Sequence, residues 1–239
     1  MKNPKVKFVI NVNEDIKNYI LFNKYSTEGP KFLKMFLPKE LRYILTDGLS
    51  EKKKEKIIEE YVKYNFSLHE KEITQNTGKI KKRWKAVEKN YFKLINKIFK
   101  NHPWHQGKYL GFASVFDMYP RNIKEKTFYF PALGKNLNFA IATVAHEMTH
   151  FIFFDYLKAK YGIEEKKEFK NKDPKYIWDI SEVLNVVIES WRPYLNIFKI
   201  KGKPYGKVHA KMLPKMKKLW DKKEDLDFLL DSYLSRLKQ

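Results

Sequence analysis

Leu137-Asn138-Phe139-Ala140-Ile141-Ala142-Thr143-Val144-Ala145-His146-Glu147-Met148-Thr149-His150-Phe151-Ile152-Phe153-Phe154 is an uncharged, apolar run of helical length broken by one polar island, His146 to His150. Two histidines four residues apart on a helix project from one face and can grip a single metal ion. The glutamate that follows the first of them, Glu147, can reach a water on that ion without being a ligand, as a general base must. An apolar run of this kind belongs in a core. Burying two imidazoles and a carboxylate there would cost about 1–3 kcal/mol for each unsatisfied polar group, and more for a charge. A metal ion removes that cost, and a hydrogen-bonded cluster within the core is the alternative, so the run predicts a buried helix with a metal centre as its first reading.

The rest of the chain constrains the metal. There are no cysteines among the 239 residues, which excludes disulfides, thiolate catalysis and cysteine-rich structural zinc sites. A zinc ion here must use nitrogen and oxygen ligands, the chemistry of catalytic sites. The length allows one sizeable core, or a catalytic domain with a smaller helical appendage, and no internal period suggests a repeat array.

The formal charge is +21, which invites a nucleic-acid or acidic-surface reading. The lysines, however, are spread through almost every segment. Glu51-Lys52-Lys53-Lys54-Glu55-Lys56 and Lys79-Ile80-Lys81-Lys82-Arg83-Trp84-Lys85 mix them with helical apolar spacing, as the solvated faces of surface helices do. The first residues, Met1 to Asn11, lack the apolar stretch of a signal peptide. The Phe139 to Phe154 run is too short and too interrupted to be a membrane span. A soluble, cytoplasmic protein is the expectation.

Working outward, Val6 to Val12 reads as a strand, and Asn13-Glu14-Asp15 as the cap of a helix from Ile16. Thr27-Glu28-Gly29-Pro30, Pro38 and Asp47-Gly48 read as turns. Ser50 caps a helix from Glu51 to about Phe66, with Ile57, Ile58, Tyr61, Val62 and Tyr64 as its apolar stripe. A longer helix is predicted from about Ile80 to Phe99, where Trp84, Val87, Tyr91, Leu94, Ile95 and Ile98 recur at spacings of three and four. Composition changes at Asn101 to Gly107. His102 and His105 there are no metal pair, because Pro103 between them breaks any helix.

Tyr109 to Asp117 and Thr127 to Leu133 read as strands joined by Tyr119-Pro120-Arg121-Asn122. Pro131 cannot donate to a ladder, so the second strand lies at an edge or ends there; an edge strand could accept an extended peptide. Lys207 to Arg236 reads as helical, with Met212, Met216, Leu219 and Trp220 as core contacts and Asp225 to Leu237 as the last helix. The fold class is therefore α+β and predominantly helical, with a small β-sheet next to the metal-binding helix. The domains are read as a mostly helical region over 1–100 and a catalytic domain over 101–239, or as one compact unit.

Catalytic zinc usually keeps three protein ligands and a water, so the two histidines need a partner. Trp178-Asp179-Ile180-Ser181-Glu182-Val183-Leu184-Asn185-Val186-Val187-Ile188-Glu189 reads as a second apolar helix, with Asp179, Glu182, Asn185 and Glu189 along a polar stripe. Glu182 is central in that stripe, 32 residues after His150, with a lysine-rich loop from Gly162 to Lys172 in between. It is the first candidate for the third ligand; Glu189, Asp179 and Asp155 are the alternatives.

His146, Glu147 and His150, with Glu182 on the following helix, resemble the gluzincin metallopeptidases, the group that includes thermolysin. That resemblance implies a zincin-like catalytic domain, Zn²⁺ held by His146, His150 and Glu182, and Glu147 as general base. In thermolysin-like enzymes an asparagine precedes the third ligand, and an aspartate four residues after it orients a metal-binding histidine. Here Ser181 and Val186 hold those positions, so Asn185 or Asp179 would supply the orienting bond. The metzincin extension is absent, since Phe153 and Tyr156 stand where its glycine and histidine would be.

Amide hydrolysis also calls for a donor to the developing oxyanion. His209 is the first candidate and Tyr205 the second, from residue type and from a C-terminal segment expected to pack against the site. The functional expectation is a zinc-dependent hydrolase, a metallopeptidase acting on a peptide or protein substrate. Non-peptide amides are a variant of the same chemistry. The alternative is a basic nucleic-acid- or protein-binding protein with a structural or degenerate metal site.

Overall fold

The computed structural model describes residues 3–25, 30–46, 48–165 and 175–235, and only the backbone of 24, 25 and 30–32. The elements run β1 (Lys5–Val9), α1 (Val12–Tyr25), α2 (Pro30–Phe36), a 3-10 helix (Lys39–Leu45), α3 (Glu51–Leu68), α4 (Glu70–Ile98), β2 (Lys108–Ser114), β3 (Arg121–Asn122) and β4 (Thr127–Pro131). They continue with α5 (Leu137–Tyr161), α6 (Tyr176–Glu189), α7 (Arg192–Phe198), α8 (Gly206–Lys223) and α9 (Leu226–Leu234). The described residues are mostly helical with one small mixed sheet, an α+β arrangement. Among the described residues no helix is long and apolar enough to cross a membrane.

The residues group into two compact units. One holds Pro4–Ala86 and Gly107–Glu147; the other holds Met1–Asn3, Val87–Gln106 and Met148–Gln239. α4 and α5 are continuous helices that contribute residues to both.

The first unit contains the sheet, in the order β1-β2-β4-β3. β1 and β4 both run parallel to β2, and β3 is antiparallel to β4. β2 and β4 are buried almost throughout, as strands inside a parallel sheet are. Gly111 of β2 sits opposite Phe128 of β4, and a Cβ there would lie 2.8 Å from the Phe128 ring, so any larger residue would displace that ring. α1 starts earlier than its acidic residues suggest. The carboxamide of Asn11, not the Asn13-Glu14-Asp15 group, caps it by accepting from the amides of Asn13 and Glu14. Ser50 caps α3 as expected.

α4 begins at Glu70, ten residues ahead of the expected Ile80. Ile73 and Thr77 extend its buried stripe upstream, and that burial outweighs the low helix propensity of Thr77 and Gly78. Arg121-Asn122, read as a connection, is the short strand β3. Its pairing with Thr127 and Phe128 means that β4 is not an edge strand where it begins. β4 does end at Pro131, and β2 at Ser114, both short of the expected Leu133 and Asp117.

The second unit is built around α6, which packs on α7 and α8, with α9 against α8. Tyr91, Phe99, Leu157, Leu184, Phe198 and Trp220 are fully buried in its core. Asp225 caps α9 by accepting from the Phe228 amide at 2.8 Å. The expected turn at Thr27-Glu28-Gly29, Asp47, most of the Gly162 to Lys172 loop, and the expected helix end at Arg236 and Leu237 lie outside the described residues.

Candidate metal centre

α5 starts from Asn136, whose side chain accepts from the Phe139 amide at 2.8 Å. Ala140, Ile141, Val144, Ala145, Met148, Phe151, Ile152 and Leu157 bury most of its circumference. The polar residues of the motif are therefore carried into the interior by the apolar ones around them. His150 is 0% exposed and Glu147 5%, while His146 is half-buried. Thr149 meets the hydroxyl of Tyr91 at 3.0 Å, so its polar group is satisfied.

α6 is buried from Ile177 to Glu189 apart from the half-buried Trp178, its polar stripe included. Glu182 Oε1 lies 3.2 Å from His150 Nε2. His146 is one turn upstream of His150 on the same continuous helix, and the ligand atoms of His146, His150 and Glu182 all lie within 4.8 Å of one another. This is the one such group of three or more histidine and acidic side chains among the described residues.

The donor set suits a divalent ion. Two imidazole nitrogens and a carboxylate oxygen make a catalytic zinc set, and the same set serves other first-row metals. Burial supports the fit as well, because the 4% exposed carboxylate of Glu182 gains a compensating charge when a cation joins it.

The three alternatives for the third ligand are engaged elsewhere. Asp179 Oδ1 lies 2.7 Å from His209 Nε2. Asp155 meets His102 at 3.2 Å, and His105 is exposed. Glu189 is two turns beyond Glu182 along α6, about 10 Å on, where its carboxylate packs so closely on Gly202 that a Cβ there would lie 2.0 Å from Oε2. Of the two residues expected to orient a histidine, Asn185 meets His150, with Nδ2 3.1 Å from Nε2, and Asp179 meets His209 instead.

His209 is 2% exposed, not a solvent-facing histidine at a helix start, and it packs against Trp178. Tyr205 is 41% exposed at the start of α8, its ring 6.1 Å from that of His209. One residue near the motif was missed in sequence. Arg121 of β3 brings Nη1 to 3.9 Å from Glu147 Oε2, both side chains 7% exposed. It puts the sheet beside α5, and no spacing rule links an arginine in a turn-like Tyr-Pro-Arg-Asn stretch to a helix that begins 16 residues later.

No protein-family model, curated protein or solved structure matches the chain.

Proposed function

We propose that this protein is a zinc-dependent hydrolase of the gluzincin type, a metallopeptidase that cleaves peptide bonds in a peptide or protein substrate. The observation that carries the reading is the convergence of Glu182 on His150, 32 residues away in sequence, beside a helix that also presents His146 and Glu147. Bound by His146, His150 and Glu182, Zn²⁺ would supply a Lewis acid that polarises a carbonyl and acidifies a water.

The chain's own residues do the rest. Glu147 is one residue from His146 and outside the ligand set, so its carboxylate is available to take a proton from the attacking water and return it to the leaving amine. The guanidinium of Arg121 balances the charge of that carboxylate within the fold. His209, whose Nε2 lies 2.7 Å from Asp179 Oδ1, is the first candidate to donate an N–H to a developing oxyanion. Tyr205 is the second candidate for that service.

Glu147→Gln tests the reading, since it keeps the shape and both histidines and removes the base. With a mixed peptide library read by mass spectrometry, cleavage by the zinc-loaded parent is expected to fall 100-fold or more in the variant, within the range for general-base loss. Zinc content should stay at that of the parent. A parent that carries zinc and cleaves nothing, or a variant that cleaves as well as the parent, overturns it.

One observation favours the alternative of a basic binding protein. Lys207, Lys211, Lys215, Lys218 and Lys222 are all exposed and recur at three- and four-residue steps along one face of α8. None has a carboxylate within ion-pair distance among the described residues. If a nucleic acid uses this stripe, binding weakens steeply with salt and is indifferent to Glu147→Gln.

A further inference from the structure

The nitrogen of His150 that faces Glu182 also faces a second side chain of α6. Asn185 is 2% exposed, one turn after Glu182, and its carboxamide is 3.1 Å from the same Nε2 that Glu182 Oε1 approaches at 3.2 Å. Two atoms bound to one ion at about 2.1 Å are about 3.0 Å apart when they subtend a right angle and about 3.4 Å at the tetrahedral angle. Both contacts therefore have the length of an edge of a coordination polyhedron that has Nε2 at one corner.

The chemistry of the contact points the same way. When Nε2 binds a metal its lone pair is used, and the Asn185 N–H can no longer donate to it. A half-turn about the last side-chain torsion of Asn185 puts Oδ1 where Nδ2 was, and an amide oxygen is a metal donor. Resting on the metal-centre reading above, we propose that Asn185 is a fourth protein ligand through Oδ1, joining His146, His150 and Glu182. An oxygen-enriched donor set of two imidazoles, a carboxylate and an amide leaves an open position only if the ion is five- or six-coordinate. The site would thus depart from the tetrahedral geometry of a three-ligand zinc centre.

Cobalt(II) reports that geometry directly, because its visible absorption is intense when four-coordinate and weak when five- or six-coordinate. The full chain is loaded with Co²⁺ or Zn²⁺, and affinity is measured by competition with a chromophoric chelator for the parent, Asn185→Ala, Asn185→Ser and Asn185→Asp. Circular dichroism identifies the variants that keep the fold. The expected result is a weak parent spectrum and a more intense one in the alanine or serine variant. Affinity should fall tenfold or more in that variant and be kept or raised by aspartate, which retains the oxygen.

Unchanged affinity and spectrum in a folded alanine or serine variant overturns the proposal. So does a loss of affinity with an unchanged spectrum, which marks a hydrogen-bonding role only. A parent that takes up neither ion overturns the metal centre itself, a different outcome from either of these.

Discussion

Asp179 and His209 form a buried polar contact, 2.7 Å from Oδ1 to Nε2, that joins α6 to α8 one turn before Glu182. Because both side chains are enclosed, removing one partner leaves the other desolvated with nothing in return. Asp179→Ala is expected to lower unfolding stability by about 2–4 kcal/mol, read from urea denaturation of the metal-free protein. A double variant with His209→Phe should recover part of that loss, since the stranded imidazole is gone. A single variant as stable as the parent would show that the pair contributes nothing to the packing of α8 on α6.

Metal removal should be visible as lost stability. An ion that binds the folded chain alone adds about 4 kcal/mol when its free concentration is a thousand times its dissociation constant. Chelation is therefore expected to lower the melting temperature of the parent, and added Zn²⁺ to restore it. His146→Ala and Glu182→Ala, each short of one ligand, should show little response to either treatment. Equal responses in parent and variants would mean the ion binds elsewhere.

The buried carboxylate of Asp15 links stability to pH in the direction opposite to an ordinary ion pair. Burial at 0% exposure raises its pKa from 3.8 to about 6, against the lowering effect of hydrogen bonds from Ser114, the Val115 amide and Asn18. The folded state thus holds a proton that the unfolded chain gives up, and stability is fully present below pH 3.8 and declines as pH rises to about 6. The shift of about 2 units corresponds to about 3 kcal/mol as an upper bound. Asp15→Asn, which has no proton to lose, should remove this component from a plot of unfolding free energy against pH. An unaltered plot would show that the site is more hydrated than its burial implies.

Gly111→Ala tests the close approach of β2 and β4. The added methyl meets the Phe128 ring at 2.8 Å and Phe130 at 3.3 Å, so a fully buried ring must move. Overpacking of this kind costs about 1–3 kcal/mol. Chemical denaturation should show that loss, and a second substitution, Phe128→Leu, should relieve some of it.

The parts of this protein that could be read in the sequence are those in which the relevant neighbours are three or four residues apart. The helix that carries His146 and His150, the stripe from Trp84 to Ile98, the Ser50 cap and the polar stripe of α6 all follow from helical periodicity. The upstream turns of α4 were hidden because Thr77 and Gly78 are weak helix formers whose place in the helix is secured by packing.

What the tertiary structure alone decided is which distant groups share a space. Periodicity put Asp179, Glu182, Asn185 and Glu189 on one polar stripe, and Glu182 stood first as third ligand for its central place in it. Packing brought Glu182 and Asn185 to His150, sent Asp179 to His209, set Glu189 against Gly202 and carried Arg121 to Glu147. The reason is physical: a helix repeats every 3.6 residues whatever surrounds it, whereas the meeting of two elements depends on how the apolar faces of the whole chain are buried.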